Sequence, residues 1–373
     1  MRILHVADRL TDRGGAYTWM LGVLGGLIEA GHDVRLAVGA IEGSVPAPCP
    51  VDVQPGLDAR TDTAVELGPF VRSVGPDVIH VHNVMNPAVL EWAAGRPNAL
   101  LTVQDHRVFC ATRGKWTLAG EECRDAMARD VCSSCFENET HFRDVYSLTE
   151  RRLAAVREME VVTVLSSYMR EELLRVGVPQ RRLRIVPPFV HDLDHGRAPD
   201  GPPCVLFVGR LAATKGVNEA LEAWSRSGVD LPMVIAGAGP LREALEARAH
   251  EAPGGRIEVP GWLDRESLSS LYRRARALVL PSRWQEPFGI AGIEALSFGV
   301  PVVAWESGGV GEWHPGPGLV RWGDVEALGR ALAEAVTRRI TPPPSYPRDE
   351  ALGRLLVLYG RLARRGVPRG DLP

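Results

Sequence analysis

No apolar run in this 373-residue chain approaches the length that spans a bilayer, so no membrane span is expected. Neither sign of charge is in excess. Lys and Arg number 43 against 46 Asp and Glu, a formal net charge of -3, which removes the electrostatic case for nucleic acid as a partner. No internal repeat of solenoid type is visible. The N-terminus, Met1-Arg-Ile-Leu-His-Val-Ala7, runs straight into a strand pattern with no apolar leader, so a cytoplasmic chain is expected. Arg151-Arg152, Arg170, Arg175 and Arg181-Arg182 cluster in sequence. They leave a peripheral membrane contact open, although such runs are most often solvated faces.

What is present fits a soluble globular protein, with 45% hydrophobic and 24% charged residues. The length suffices for two ordinary domains. Short β-rich runs alternate with longer helical ones, the pattern of parallel sheets with crossover helices. In the first half, strands are expected at 2–7, 33–38, 78–81, 100–104, 161–165 and 183–186, and helices at 17–30, 63–74, 148–157 and 167–176. Gly31 and Gly177 follow two of these helices, and Ser166 and Ser167 are placed to cap the last. A Pro-rich aperiodic stretch, 187–203, reads as a linker. A second α/β series follows, with strands near 205–208, 233–236, 257–259, 277–280, 302–304 and 319–321. The expected domains are 1–187, carrying a Cys-rich loop at 107–146, then 188–345, then a C-terminal helical segment at 346–373.

The densest chemistry lies in Pro281-Ser-Arg-Trp-Gln-Glu-Pro-Phe-Gly-Ile-Ala-Gly-Ile-Glu294. Glu286 falls in a loop after an apolar strand, and Glu294 about a turn and a half into the next helix. In open α/β sheets the carboxyl ends of the strands are where ligands bind. Ionised carboxylates only accept hydrogen bonds and therefore suit the diols of a sugar or a ribose. Two unrelated surface acids are the bland alternative. Upstream, Val208-Gly209-Arg210-Leu211 closes a strand and Lys215-Gly216 opens a helix. An Arg fork and a Lys point charge at a helix N-terminus suit a diphosphate, with ordinary cations of a strand-to-helix loop as the alternative. Gly237 sits in a glycine-rich turn that lets backbone approach closely, or is only a turn.

In the first half, Gly14 and Gly15 open the loop after the first strand. His80 and His82 alternate onto one side of their strand, lining a cleft or sitting satisfied in the core. Cys110, Cys123, Cys132 and Cys135 share one aperiodic stretch, and Cys132-Ser-Ser-Cys135 is a CxxC. Four thiolates suit a structural zinc or an iron–sulfur cluster. Reduced, unliganded thiols are the alternative, because the remaining spacings are not those of a standard finger. Arg107, Arg113 and Lys115 of the same loop are candidates to meet an acidic or phosphorylated acceptor. Cys49 and Cys204 look isolated.

Pro281-Ser282, Glu286-Pro-Phe-Gly289, Glu294-Ala-Leu, Gly299-Val-Pro-Val-Val303 and Gly308-Gly-Val-Gly-Glu312 together resemble the donor-site signature of the retaining glycosyltransferases of family 4. The motifs occur in the family's order over most of the chain. The resemblance implies an α/β chain of GT-B architecture, with two Rossmann-like domains facing across a cleft and a C-terminal helix crossing back to the first. It also implies a nucleoside-diphosphate sugar as donor and a hydroxyl of a glycan, lipid carrier or natural product as acceptor. Transfer of the hexosyl group would be metal-independent, on the front face. By resemblance, Arg210 and Lys215 bind the pyrophosphate, Glu294 the ribose hydroxyls, and Glu286 the transferred sugar. Backbone N–H groups of Phe288, Gly289 and Ile290 reach the sugar or phosphate. Trp262 and Leu263 frame the nucleobase, with Trp262 as core filler the competing reading. Gly14 and Gly15 let the backbone approach the donor phosphate or the acceptor, with a tight turn as the alternative. The family commonly has Thr-x-His-Asp where this chain has Thr102-Val-Gln104-Asp-His106. Gln104 hydrogen-bonds but does not titrate near neutrality, so either His106 substitutes or no side-chain base is needed. A nucleotide-sugar hydrolysing epimerase and a non-catalytic nucleotide-sugar or metal sensor remain the alternatives.

Overall fold

The computed structural model describes residues 1–112, 114–190, 193–196, 201–342 and 346–366. Contacts divide the chain into two compact units. Unit 1 holds Met1–Gly114, Arg124–Phe189 and the chain from Pro347, and unit 2 holds Lys115–Cys123 and Val190–Tyr346.

Unit 1 carries strands β1 (Arg2–Leu10), β2 (Asp33–Ile41), β3 (Val51–Val53), β4 (Val78–His82), β5 (Ala99–Val103), β6 (Val161–Val164) and β7 (Leu183–Ile185). They pair in parallel in the order β3-β2-β1-β4-β5-β6-β7. Every residue of β4 and β5 is buried, as expected for a parallel sheet covered on both faces. Alternation along β1 sends Ile3 and Ala7 to one apolar layer, and Leu4 and Val6 to the other. The first layer is built by α1 (Gly15–Glu29) and the last helix, α12 (Arg348–Gly366). The second is built by α2 (Leu67–Val74), α3 (Pro87–Ala94), α5 (Glu139–Glu158) and α6 (Ser167–Arg175), and a short α4 (Arg129–Ser133) precedes α5. Caps set several starts. Ser166 Oγ accepts from the Met169 N–H at 3.1 Å, and Asn86 caps α3 ahead of Pro87 at its first position.

Unit 2 has strands β8 (Cys204–Val208), β9 (Met233–Ala236), β10 (Ile257–Gly261), β11 (Ala275–Leu280), β12 (Val302–Trp305) and β13 (Leu319–Val320), all parallel, in the order β10-β9-β8-β11-β12-β13. Between them run α7 (Val217–Ser227), α8 (Arg242–Glu251), α9 (Arg265–Arg274), α10 (Ile290–Ser297) and α11 (Val325–Ala335). In each sheet the strand order reverses once, between β1 and β4 in unit 1 and between β8 and β11 in unit 2. Loops at the carboxyl ends of those two strand pairs are the positions where such sheets bind ligands.

Several boundaries differ from expectation. β1 and β2 run three residues further, to Leu10 and Ile41, and β3 and α3 were not anticipated. The stretch 107–146 is less irregular than its composition suggests, because α5 begins at Glu139 and α4 lies just before it. Residues 115–123 form a small hairpin, with an antiparallel bridge between Trp116 and Glu122. Parts of the expected linker (191–192 and 197–200), Arg113, and residues 343–344 of the triple-Pro break lie outside the described residues.

Candidate functional site

The loops after β8 and β11 bring the unit 2 candidates together. Lys215 ends a short 3₁₀ turn after β8, and its Nζ donates to Glu286 Oε1 at 2.7 Å. Ser282 Oγ donates to the same oxygen at 2.5 Å. The Glu286 N–H donates to Ser307 Oγ at 3.2 Å, and its carbonyl accepts from the Gly309 N–H at 2.7 Å. The Lys215 ammonium also stands 4.3 Å from the centre of the Trp284 ring, a cation–π contact. Burial alone pushes the Glu286 carboxyl up. The Lys215 charge and the hydrogen bonds from Lys215 and Ser282 outweigh it, so the group lies below the ordinary carboxylate range.

Two glycines permit this approach. Gly216 has φ of 69°, and a Cβ there would lie 1.8 Å from the Pro281 carbonyl oxygen. Gly308 has φ of 53°, and its Cβ would lie 2.3 Å from the Glu286 carbonyl oxygen. Only residues without a side chain fit between these three loops.

Arg210 follows β8, is exposed, and has no ion pair among the described residues, so its guanidinium is available to an anion. Glu294 lies in the second turn of α10, and its Oε2 accepts from the Tyr272 hydroxyl at 2.9 Å. Burial pushes the Glu294 carboxyl up to about 7, against the opposing pull of Tyr272 and the Arg265 charge. Gly289, with φ of 95°, caps α10, so the N–H groups of the first turn point outward there. Phe288 itself is buried, packed edge-on to Tyr346 at 5.2 Å. Its side chain is therefore core, and only its backbone can serve a ligand. Gly237 follows β9, where a Cβ would strike the Gly209 carbonyl oxygen. Trp262, after β10, is 43% exposed, which is not a core position; Leu263 beside it is half-buried.

Unit 1 presents a different edge. Gly14, φ of 114°, caps α1, and Gly15 is its first residue. Gln104 follows β5. Its Nε2 donates to the Ala16 carbonyl at 3.2 Å, while its buried Oε1 has no hydrogen-bond partner among the described residues. His106 is buried, with its Nε2 at 3.1 Å from the Tyr168 hydroxyl and its ring edge-on to Phe109. It is thus packed into the unit rather than displayed as a replacement base. At the end of β1 the Tyr17 hydroxyl lies 2.9 and 3.0 Å from the two oxygens of Asp8, which burial pushes up. Arg107 is committed to Asp105 at 2.6 Å, and Lys115 is buried in the hairpin. Neither is the open cation expected for an acidic acceptor.

The thiols do not assemble as expected. Among the described residues, the groups that converge in threes, within 4.8 Å, are the imidazoles of His5, His80 and His82. No such set forms among Cys110, Cys132 and Cys135 of unit 1, and Cys123 belongs to the unit 2 hairpin. Sequence proximity was the whole basis for expecting a zinc or iron–sulfur centre there.

The histidines sit on the α12 side of the sheet. His5 Nδ1 and His82 Nε2 are 2.9 Å apart. His80 bonds the Tyr359 hydroxyl of α12 through Nδ1 and Thr102 Oγ1 through Nε2, both at 2.6 Å, and Thr102 continues to Thr163 at 2.6 Å. Burial drives all three rings towards the neutral form, His5 to about 3. Both nitrogens of His80 are engaged, so the bland reading of a satisfied core histidine fits His80. His5 Nε2 and His82 Nδ1, by contrast, are buried with no hydrogen-bond partner among the described residues.

Sequence reasoning missed Tyr272, and it did not assign Ser282, Ser307, Asp8 or Tyr17. Ser282 was within reach, being part of the motif that flags Glu286. Nothing local marks Tyr272, whose partner stands 22 positions away.

Comparison with known proteins agrees with this geometry. Residues 13–192 match Glycosyltransferase Family 4 and residues 192–314 match Glycosyl transferases group 1. The glycogen synthase of Mycobacterium tuberculosis is 30% identical over 253 residues, 65% of this chain and 55% of that protein. The alpha-D-kanosaminyltransferase of Streptomyces kanamyceticus is 33% identical over 57% of this chain and 56% of its own. The chain thus spans little more than half the length of these curated relatives. Among solved structures, sucrose-phosphate synthase of Thermosynechococcus elongatus superposes with a TM-score of 0.68 at 18% identity, covering 98% of this chain and all of that one. Anabaena HepE in complex with UDP and glucose gives 0.64 at 16%, covering 98% and 99%. These likenesses show the fold, which is GT-B with two Rossmann-like domains.

Proposed function

The chain belongs to the group 1 glycosyltransferases of family 4, and on that premise we propose that it transfers a hexosyl group, with retention, from a nucleoside-diphosphate sugar to a hydroxyl acceptor. The observation that carries this is the Lys215–Glu286–Ser282 set at the switch point of the unit 2 sheet, with Glu294 one element further on. Relatives named as glycosyltransferases, and a fold neighbour bound to UDP and glucose, support a nucleotide-sugar donor.

In this reading the donor diphosphate takes Arg210 and Lys215. Lys215 is already paired with Glu286, so it turns from one anion towards another. As the bond from the sugar C1 to the phosphate oxygen breaks, negative charge grows on that oxygen. Fixed cations and the first-turn N–H groups of α10 stabilise that charge more in the transition state than in the bound donor. The acceptor oxygen forms its bond to C1 on the face the phosphate leaves, and its proton passes to the departing phosphate oxygen. No side-chain base is required, which accommodates Gln104. Glu286, still held by Ser282, accepts from hydroxyls of the transferred ring, and Glu294 accepts from the ribose. The polar carboxyl edge of unit 1, with the open Oε1 of Gln104, is assigned to the sugar hydroxyls and the acceptor.

A thermal-shift panel of UDP-, GDP-, ADP- and TDP-sugars tests the reading. A ligand at one hundred times its Kd should stabilise the fold by about 2.7 kcal/mol. The best donor is then incubated with candidate acceptors and the anomeric configuration of the product is read by NMR. A panel in which no nucleotide sugar raises the melting temperature defeats the proposal, and an inverted product defeats retention.

A further inference from the structure

We propose that Tyr272 is a positioning residue for nucleotide recognition, fixing one oxygen of the Glu294 carboxylate so that the other is left to accept from the ribose hydroxyls of a nucleoside diphosphate. The inference rests on the donor site proposed above and deepens it.

Tyr272 lies on α9, fully buried, and its hydroxyl meets Glu294 Oε2 at 2.9 Å. The ring is not free to swing. It stacks on Phe298 at 5.4 Å with the planes 22° apart, and Phe298 stacks in turn on His195 at 4.1 Å. A carboxylate on the short helix α10 is thereby anchored from a second element by one rigid phenol. The same bond supplies a charge-assisted donor to an acid that burial would otherwise neutralise. Two groups act on Glu294 from α9, Tyr272 and the cation Arg265. His195 reaches it only through the aromatic stack. A neutral carboxyl loses acceptor capacity and presents an O–H, so a diol then binds more weakly.

Tyr272→Phe keeps the stack and deletes one oxygen. The ligand is whichever of UDP, GDP and ADP binds the wild-type chain best, compared with its 2′,3′-dideoxy form by calorimetry from pH 5.5 to 8.5. In the wild type, affinity for the ribonucleotide should fall as pH drops through about 7. In the variant the carboxyl protonates at higher pH, so that midpoint moves up by about one unit, and affinity at pH 7.5 falls by about threefold. The dideoxy ligand should bind both proteins equally. In a Glu294→Gln background, where no charge is left to hold, Tyr272→Phe should cost nothing further. An equal loss with both ligands, an unmoved midpoint, or no loss overturns the inference while leaving the donor site standing. A wild-type chain that binds none of the three nucleotides overturns both.

Discussion

The two units share a parallel sheet with one reversal of strand order, yet they bury polar groups in opposite ways. Unit 2 places the Lys215–Glu286 ion pair in the loops after β8 and β11, and the Tyr272–Glu294 bond between α9 and α10, the helices before and after β11. Unit 1 places a neutral network in mid-sheet, running from Tyr359 through His80 and Thr102 to Thr163. A buried ion pair is weak evidence for stability, because desolvation offsets most of the attraction. A neutral chain of hydrogen bonds holds helices to a sheet, and here the run from Tyr359 to Thr163 ties α12 to β4 and β5. His5 Nε2 and His82 Nδ1 beside it are nevertheless buried with no partner among the described residues. The difference teaches which buried polarity is held for a ligand and which for the fold, and it gives each unit its own signature under mutation.

The largest effect should come from Lys215→Met. Removing a cation aimed at leaving-group charge should lower the initial rate of transfer by about 10²–10³-fold. If the rate is unchanged, the ion pair is structural and the contrast between the units collapses. Glu294→Gln comes next and carries opposite signs for stability and function. The folded acid titrates at about 7 against an ordinary 4.5, so its cost accumulates as pH rises from about 4.5 to about 7 and is constant above. At pH 8 the variant should therefore be more stable by about 3 kcal/mol, while nucleotide affinity falls. Equal urea midpoints at pH 8 would refute it.

Tyr359→Phe should cost about 1–3 kcal/mol, seen as a lower melting temperature, with nucleotide affinity unchanged. The folded histidines titrate below their unfolded value of 6.5. Stability is accordingly full above that pH and declines as the unfolded chain takes up protons below it. Trp262→Ala is the smallest for the fold, within about 0.5 kcal/mol because the ring is exposed. Its effect should instead appear in nucleotide affinity, and a variant that melts early with affinity intact would reverse the assignment.

The alternating strands and most of the helices were legible because apolar period and end signals are local. The shift of Glu294 into a helix and Glu286 into the preceding loop was legible for the same reason. α3 was missed although Asn86-Pro87 carries a start signal, since the helix that follows is short. The spacing of the cysteines suggested a metal centre, and among the described residues no three of the thiols lie within 4.8 Å of one another. Pairings such as Lys215 with Glu286, 71 positions apart, and Tyr272 with Glu294 depend on how separate elements dock, and no local pattern records that.

The chain builds its positive charge almost wholly from arginine, and its only lysines are Lys115 and Lys215. Lys115 is sealed inside the hairpin, whereas Lys215 keeps about a fifth of its side chain open beside its carboxylate. Apart from the amino terminus, an amine-selective acylating reagent therefore has one side-chain address that solvent reaches. The mass of a single peptide, followed over time, becomes a direct occupancy meter for that position.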